Sequence, residues 1–359
     1  MDRFDSAAHR APPSAETPAP SRRTVLHGLG AAGLIAALPG QVRAQDARYL
    51  RIATGSAAGT YYPVGETIAR LLSHPPGLPP CDPGAACGVP GLVAAAETSE
   101  GSVANVEAVA GLQVETALAQ ADVLAWAHGA RGAFEGQPPR DNLRVITSLY
   151  AESMHVVVRA DSGVAGIGDL AGRRVSLDRP GSGTRGDAVM ILDAYGIATD
   201  AVEAVDLGPS QAAAALMAGE IDAFFFLGGA PAVNVREIAD TGGIALLPID
   251  GPAREKLLAA GRYFQSGAIA ETAYPGLPAT ETVNVSAQWI CALEVDADLI
   301  YDAVRTLFDP VNREALDEGH PKAREITLAG AILGLGAPLH PGAVRFYREQ
   351  GMTLPAEAI

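Results

Sequence analysis

A loop of small residues is the first stretch of the chain whose composition could do chemistry. It runs from Thr54 to Thr60 with the sequence TGSAAGT, so no bulky side chain covers its backbone amides. Apolar residues then recur at helical spacing from Val64 to Leu72. The free N–H groups and the positive dipole end of a helix start favour an anion. The stretch predicts either an anion-binding loop or an ordinary strand-to-helix turn.

A second glycine-rich loop, PGSGTR at residues 180–185, precedes another helical pattern and offers the same chemistry. Arg185 is the fixed cation that the sequence places beside these two helix starts, and a guanidinium can hold a carboxylate through two hydrogen bonds. The alternative is that Arg185 pairs with a nearby acid such as Asp187.

The same loop also matches a dinucleotide fingerprint, which raises an NAD-dependent oxidoreductase as an alternative function. Gly181, Gly183 and Gly186 spell G-x-G-x-x-G, and Asp206 follows at the distance of a ribose-binding acid. However, Pro180 stands before the glycines, and they do not follow a strand directly.

No other catalytic pattern competes with a binding function. The sequence has no G-x-S-x-G, H-E-x-x-H or C-x-x-C motif, and the histidines after residue 44 are scattered. His155 lies in a predicted strand, where a hydrogen-bonded structural role is expected. We predict no catalytic residue, no cofactor, no metal site and no enzyme activity.

The opening stretch resembles the TAXI family of solute receptors, which serve TRAP transporters. The first motif of that family is T-G-G-x-G-G-T-Y-Y-P, and Thr54, Gly55 and residues 59–63 match it, with Ser56 and Ala58 at glycine positions. Later segments match in the family's order: Gly101-Ser102 with Asn105, then VVRADSG, PGSGTR and two motifs near the end of the chain.

The resemblance and the two loops together give the expected ligand-binding residues. Asn105 and Gln120 match polar positions of the family, although ordinary capping and surface roles are the alternative. Gly228 ends the buried run IDAFFFL, where a glycine pair would leave room for a ligand. The predicted site comprises Gly55, Ser56, Thr60, Tyr61, Tyr62, Ser102, Asn105, Gln120, Ser182, Gly183, Thr184, Arg185 and Gly228.

The first 44 residues have the features of a cleaved twin-arginine export signal. Arg22 and Arg23 precede an apolar run of about ten residues, which is too short to span a bilayer, and a small-residue cleavage site follows at residues 42–44. We therefore expect a periplasmic protein.

The charge of the chain excludes one class of partner. Residues 1–44 carry five arginines and three acids, so residues 45–359 keep 21 basic against 38 acidic residues, a formal charge of −17. That balance argues against binding to nucleic acid or to an anionic membrane surface, both of which need clustered cations.

Two cysteines flank a short turn sequence, Cys81-DPGAA-Cys87. A disulfide is expected between them in an oxidising compartment, and metal ligation is the rival interpretation. Cys291 lies in an apolar run and is expected to be a buried free thiol.

The elements that must position these residues alternate between strands and helices. Strands are predicted at residues 91–96, 123–127, 143–149, 154–158, 221–227 and 283–295, with helices between them and at the end of the chain. The region from residue 267 to 282 is predicted to be a connecting segment.

We predict a two-domain α/β fold of the periplasmic-binding-protein type (type II), with the ligand between domains joined by two hinge strands. Domain I would comprise 45–155 plus 291–359, and domain II 156–290. The resemblance implies a monomeric receptor that captures a small organic anion, such as an amino acid or dicarboxylate, and delivers it to a TRAP permease. A ligand-sensing subunit for a membrane sensor kinase is the alternative non-enzyme function.

Overall fold

The computed structural model describes residues 47–82, 84–261 and 263–359. These described residues belong to one compact unit. The predicted export signal lies outside the described residues. Among the described residues, no helix combines the length and the apolar composition needed to cross a bilayer.

Strands form a single sheet that runs through this unit. Its members are β1 (Arg48–Ala53), β2 (Ser73–His74), β3 (Val89–Pro90), β4 (Leu92–Glu97), β5 (Thr116–Gln120), β6 (Leu143–Arg159), β7 (Arg174–Ser176), β8 (Glu203–Val205), β9 (Ala223–Gly228), β10 (Ile244–Leu246), β11 (Gln265–Ile269) and β12 (Thr280–Ala292).

Helices alternate with these strands along the chain. They are α1 (Tyr61–Leu72), α2 (Ser102–Ala110), α3 (Ala121–His128), α4 (Gly183–Ala194), α5 (Pro209–Ala218), α6 (Val233–Ala239), α7 (Gly251–Ala260), α8 (Ala297–Leu307), α9 (Arg313–Gly319) and α10 (Pro341–Glu349).

The strand order places two long strands at the centre of the sheet. The order is β3-β2-β4-β1-β5-β12-β6-β9-β7-β8, with β10 on β6 and β11 on β12. The pairs β1–β4, β1–β5, β7–β9 and β7–β8 are parallel, whereas β12 is antiparallel to β5 and β6. The 17-residue β6 and the 13-residue β12 therefore join the two parallel parts of the sheet.

The hydrophobic cores change along these two long strands. The first core contains buried residues between Leu50 and Tyr150 and between Ala287 and Ala358. The second and third cores draw almost all of their residues from 154–285. The division into domains at 155/156 and 290/291 stays a prediction.

The packing of helix α1 against the sheet follows from its local sequence. Val64, Ile68 and Leu72 recur every four residues, and all three are fully buried against the sheet. At roughly 1.5–3 kcal/mol for each buried aliphatic side chain, this face holds α1 and the loop before it in place.

Two predicted elements are wrong. Residues 123–127 are not a strand but the middle of α3, and the strand lies just before them, at Thr116–Gln120. A short, continuous apolar run does not distinguish a buried strand from a buried helix, which explains the error. The predicted connecting segment contains the last three residues of β11, which pairs with β12, and the first three residues of β12.

Cys81 and Cys87 are joined by a disulfide, as predicted, and Cys291 is a buried free thiol. The sequence analysis missed a neighbour of this bridge. Nδ1 of His74 lies 3.4 Å from Sγ of Cys87, so three atoms of metal-binding type come together here. Because the two sulfurs are bonded to each other, neither is available as a thiolate ligand.

We predict that replacing both Cys81 and Cys87 by serine lowers the free energy of unfolding by about 2 kcal/mol, because the bridge closes only a short loop. Chemical denaturation of the oxidised protein and of the double variant measures the difference. Non-reducing alkylation should label Cys291 alone after denaturation; labelling of Cys81 and Cys87 in periplasmic material would contradict the bridge.

Candidate functional site

A cavity lies where the carboxyl ends of several parallel strands meet. The loops that follow β1, β4 and β7 line it, together with the last residue of β5 and part of β9. In open α/β sheets, ligands bind at this edge, because the loops there are free of the sheet and carry helix starts. Segments of the first core contribute one wall, and segments of the second and third cores contribute the other.

The structure brings most of the predicted site residues to this cavity. Nine of them line it: Gly55, Ser56, Thr60, Tyr61, Ser102, Gln120, Ser182, Gly183 and Thr184.

Two helix starts face the cavity without a side-chain cap. The N-cap residue Thr60 of α1 and the N-cap residue Ser182 of α4 make no capping hydrogen bond with their hydroxyls. The Thr60 hydroxyl instead accepts from the Gly229 amide at 3.0 Å, and the Ser182 hydroxyl donates to the Asp178 carboxylate at 2.7 Å. First-turn amides without a capping partner are suited to an anionic group.

The third helix start, that of α2, is occupied by the opposite wall. The carbonyl oxygen of Gly181 accepts from the amides of Val103 and Ala104, both at 3.1 Å. Gly181 has φ +91°, which an L-residue rarely adopts, and a Cβ there would lie 3.3 Å from that of Glu100. The glycine thus allows the two walls to meet and caps α2 across the cavity.

Glu152 is a buried carboxyl on the cavity wall. It lies in the middle of β6 and is 2% exposed. Burial raises the pKa of Glu152 to about 8; the nearby Asp122 raises it as well, whereas the Tyr61 hydroxyl, which donates at 2.8 Å, lowers it. Glu152 is therefore mostly protonated at neutral pH and can donate a hydrogen bond.

An ion-pair cluster lies at another part of the lining. Arg179 contacts Glu100 at 3.3 Å, from the opposite wall, and donates to the side chain of Gln211 at 3.0 Å. Asp178 accepts from the Arg179 amide and from Ser182, while burial raises the pKa of its carboxyl. Arg179, rather than Arg185, is thus the arginine on the lining.

Four predicted residues lie outside the lining. The Asn105 amide donates to the carbonyls of Thr54 and Leu118, so it braces the loop after β1. Arg185 donates to the Asp178 carbonyl at 3.0 Å and pairs with Asp206. The Tyr62 hydroxyl bonds to Glu66, and Gly228 packs against the Phe226 ring.

Several lining residues are not predicted from the sequence, and most of them are polar residues in loops or large residues expected in the core. They are Gly59, Ser99, Glu100, Gly101, Glu152, Asp178, Arg179, Gly208, Pro209, Phe226 and Leu227. A signal existed for Glu152, because it is the only acid in the 17-residue strand β6. An acid in a buried strand needs a partner or a function.

The structure also bears on the other motif-based interpretations. Asp206, the candidate ribose-binding acid, pairs with Arg185, and the space beside Gly183 and Gly186 is filled by Gln120 and Trp126. His155 is fully buried, with Nδ1 2.8 Å from the Ser153 carbonyl and Nε2 2.8 Å from the Tyr274 hydroxyl. Burial lowers the pKa of His155 to about 4, so the ring is neutral and structural.

Comparisons with known proteins agree with this architecture. The model of the NMT1-like family matches residues 52–351. The periplasmic binding protein BugD is similar in structure, with 13% identity, a TM-score of 0.50, and coverage of 84% of this chain and 93% of BugD.

Two further solved structures are similar at lower scores. The periplasmic aliphatic sulphonate binding protein SsuA from Escherichia coli has 13% identity and a TM-score of 0.41, over 84% of this chain and 82% of SsuA. PhnD1 from Prochlorococcus marinus, in complex with methylphosphonate, has 10% identity and a TM-score of 0.46, over 75% of this chain and 89% of PhnD1.

The similarity to BugD shows the fold alone, since its identity is low. The predicted fold class, an α/β fold of the periplasmic-binding-protein type, is confirmed. The match within residues 52–351 extends over both glycine-rich loops and the long strands β6 and β12.

We predict that Glu152→Gln stabilises the protein increasingly as the pH rises. The pKa of Glu152 is raised on folding, so its favourable contribution is complete below about pH 4.5 and is lost as the pH rises through about 8. Glutamine cannot ionise, so the melting temperature of the variant minus that of the parent should grow between these limits and then level off. A constant difference would mean that Glu152 is ionised in the folded protein.

Proposed function

The chain belongs to the NMT1-like family, and from that premise we propose that it is an extracytoplasmic solute-binding receptor. It closes on a small organic anion and delivers it to a membrane permease. One observation carries the proposal: loops from two separately packed parts of the molecule enclose one cavity lined by two uncapped helix starts.

The connections across the cavity support closure as the working motion. The Gly181 carbonyl caps α2 and Arg179 reaches Glu100, while only β6 and β12 run continuously from the first core into the others. Two crossing strands can act as a hinge, because small changes in their backbone angles move whole packed units. In an open state, the amides of Val103 and Ala104 and the Arg179 guanidinium would face water.

The lining supports a small anionic ligand. Each uncapped helix start contributes roughly half a positive charge. This local positive charge faces the cavity, although the chain as a whole is negatively charged. The Ser102 hydroxyl, the Gln120 amide and the protonated Glu152 can donate further hydrogen bonds, while the Tyr61 hydroxyl, which donates to Glu152, can accept one. An amino acid or a dicarboxylate fits this donor-rich lining.

The finer assignment rests on the sequence motifs. The TGSAAGTYYP and PGSGTR loops both lie on the cavity, and they are the segments that resemble the TAXI receptors. We therefore propose a TRAP-type permease as the partner, and export to the periplasm by the twin-arginine signal. A permease gene of that type beside the gene for this chain would support the pairing.

The proposed function predicts that specific small anions raise the melting temperature of the purified protein. A thermal-shift panel should include amino acids, the matching 2-oxo acids and dicarboxylates, with the carboxamides of the same compounds, which lack the carboxylate, as controls. We expect at least one acid to stabilise the protein, because a ligand that binds the folded but not the unfolded chain shifts the equilibrium towards the folded state. Native mass spectrometry of freshly purified periplasmic protein gives an independent test, and an empty protein that no panel member stabilises would contradict the proposal.

We predict that Gly183→Ala weakens binding of the best panel member at least tenfold. A Cβ at position 183 would overlap the side-chain oxygen of Gln120 on the opposite wall, so the Gln120 side chain would have to leave its place on the cavity lining. The empty variant should melt close to the parent, since the first helical position tolerates alanine.

Gly168→Ala is the matched control, because a Cβ there has no neighbour within 4 Å. It should bind as the parent does. Unchanged affinity in Gly183→Ala would contradict the assigned cavity.

A further inference from the structure

Behind the cavity, two carboxyl groups are buried against each other. Asp122 lies in the first turn of α3, and Asp187 lies in the second turn of α4. Both residues are 0% exposed, and their side chains are within hydrogen-bonding reach of each other. They come from opposite walls of the cavity, because α3 packs in the first core and α4 in the second.

These carboxyls lack the donors that buried carboxylates need. None of their four oxygens makes a hydrogen bond of normal geometry with any described group. Two ionised carboxylates in contact repel each other strongly in a buried environment, so one of them must be protonated. Once one carboxyl is protonated, it donates a hydrogen bond to the other, and the pair needs no further donor.

The surroundings favour this protonated pair. Burial is the main cause that raises the pKa of both carboxyls, and for Asp122 it outweighs the proximity of Asp187 and of the Val123 amide, which lower the pKa of that group. Glu152 on β6 faces the pair and adds negative charge whenever it ionises. Tyr61 and Lys322 act mainly on Glu152, while the Arg185 guanidinium on α4 is paired with Asp206 and Lys322 is paired with Glu325.

We propose that Asp122 and Asp187 form a proton-binding site that is completed only when the cavity closes, so that ligand capture takes up a proton. This rests on the proposed function, because it requires an open state in which the two groups are apart. In water, each would have an ordinary pKa of roughly 3.9 and be ionised at neutral pH. The closed state then binds one more proton than the open state, and rising pH opposes closure.

A metal cation is a weaker candidate for the same position. Hard cations take about six or more oxygen ligands at distances that hold carboxylates apart. Among the described residues, neither aspartate belongs to a group of three or more potential metal ligands. Two buried carboxyls within hydrogen-bonding reach of each other suit a shared proton.

The test measures affinity against pH by calorimetry, with succinate, 2-oxoglutarate and L-glutamate as probes between about pH 6.5 and about pH 8.5, where their carboxyls stay ionised. The parent should lose up to about tenfold in affinity per pH unit. Repeating the titration in buffers of different ionisation enthalpy should show uptake of about one proton per bound probe.

Asp187→Asn provides the decisive variant. Its amide donates to Asp122 at every pH, so the affinity should depend much less on pH and should exceed that of the parent at the alkaline end. Asp122→Asn is the second variant should the first fail to fold. Asp193→Asn, an exposed change on the same helix, should keep the parental pH dependence.

The outcomes separate the two proposals. If no compound in the panel binds, the proposed function is overturned, and the proton site with it. Binding with equal affinity across the pH range, or an unchanged pH slope in Asp187→Asn, overturns the proton site alone. Affinity that rises with sodium but not choline chloride at the alkaline end would assign the site to a cation instead.

Discussion

The pairing of β6 with β12 is the constraint on which the rest of the structure depends. These antiparallel strands stay paired from Leu143–Ala292 at one end to Ser153–Asn284 at the other, with two register shifts between them. On one side β12 pairs with β5, and on the other β6 pairs with β9. Each long strand therefore places one end in the first core and the other end in the second or third. Loops from both parts then meet at a single edge, where the cavity forms.

Small residues decide how closely the two walls of that cavity approach. A Cβ at Gly183 would overlap the Gln120 side chain, and a Cβ at Gly181 would press against Glu100 and require a backbone conformation that L-residues rarely adopt. The result is main-chain contact across the cavity, with the Gly181 carbonyl on the α2 amides. Such contacts depend on backbone position alone, so they form only when the walls reach one particular separation.

The buried acidic groups around the cavity lower the stability of the folded protein, and this cost points to a function for them. Glu152, Asp122 and Asp187 are all nearly or fully buried, and burial disfavours the ionised form of each. Groups of this kind are retained where function needs them, because apolar residues of similar size would pack at lower cost. Their positions, one on the cavity wall and two behind it, would connect the protonation state of the protein to the proposed closure.

Sequence by itself determined the local parts of this protein. The spacing of Val64, Ile68 and Leu72 gave α1, the small residues of TGSAAGT and PGSGTR marked the two loops that line the cavity, and two nearby cysteines gave the disulfide. These features depend on neighbours within a few residues, so a local pattern carries them.

Only the tertiary structure decided which side chains face the ligand space. Arg185 and Arg179 lie in the same segment and carry the same charge, yet one is held by Asp206 and the other reaches the cavity. Glu152 lies between two predicted strands that form one continuous strand, and Asp122 directly precedes a run that is predicted as a strand but folds as a helix. Contact between residues such as Asp122 and Asp187, or His74 and Cys87, is set by the path of the sheet. A local sequence pattern does not show which distant segments the sheet brings together.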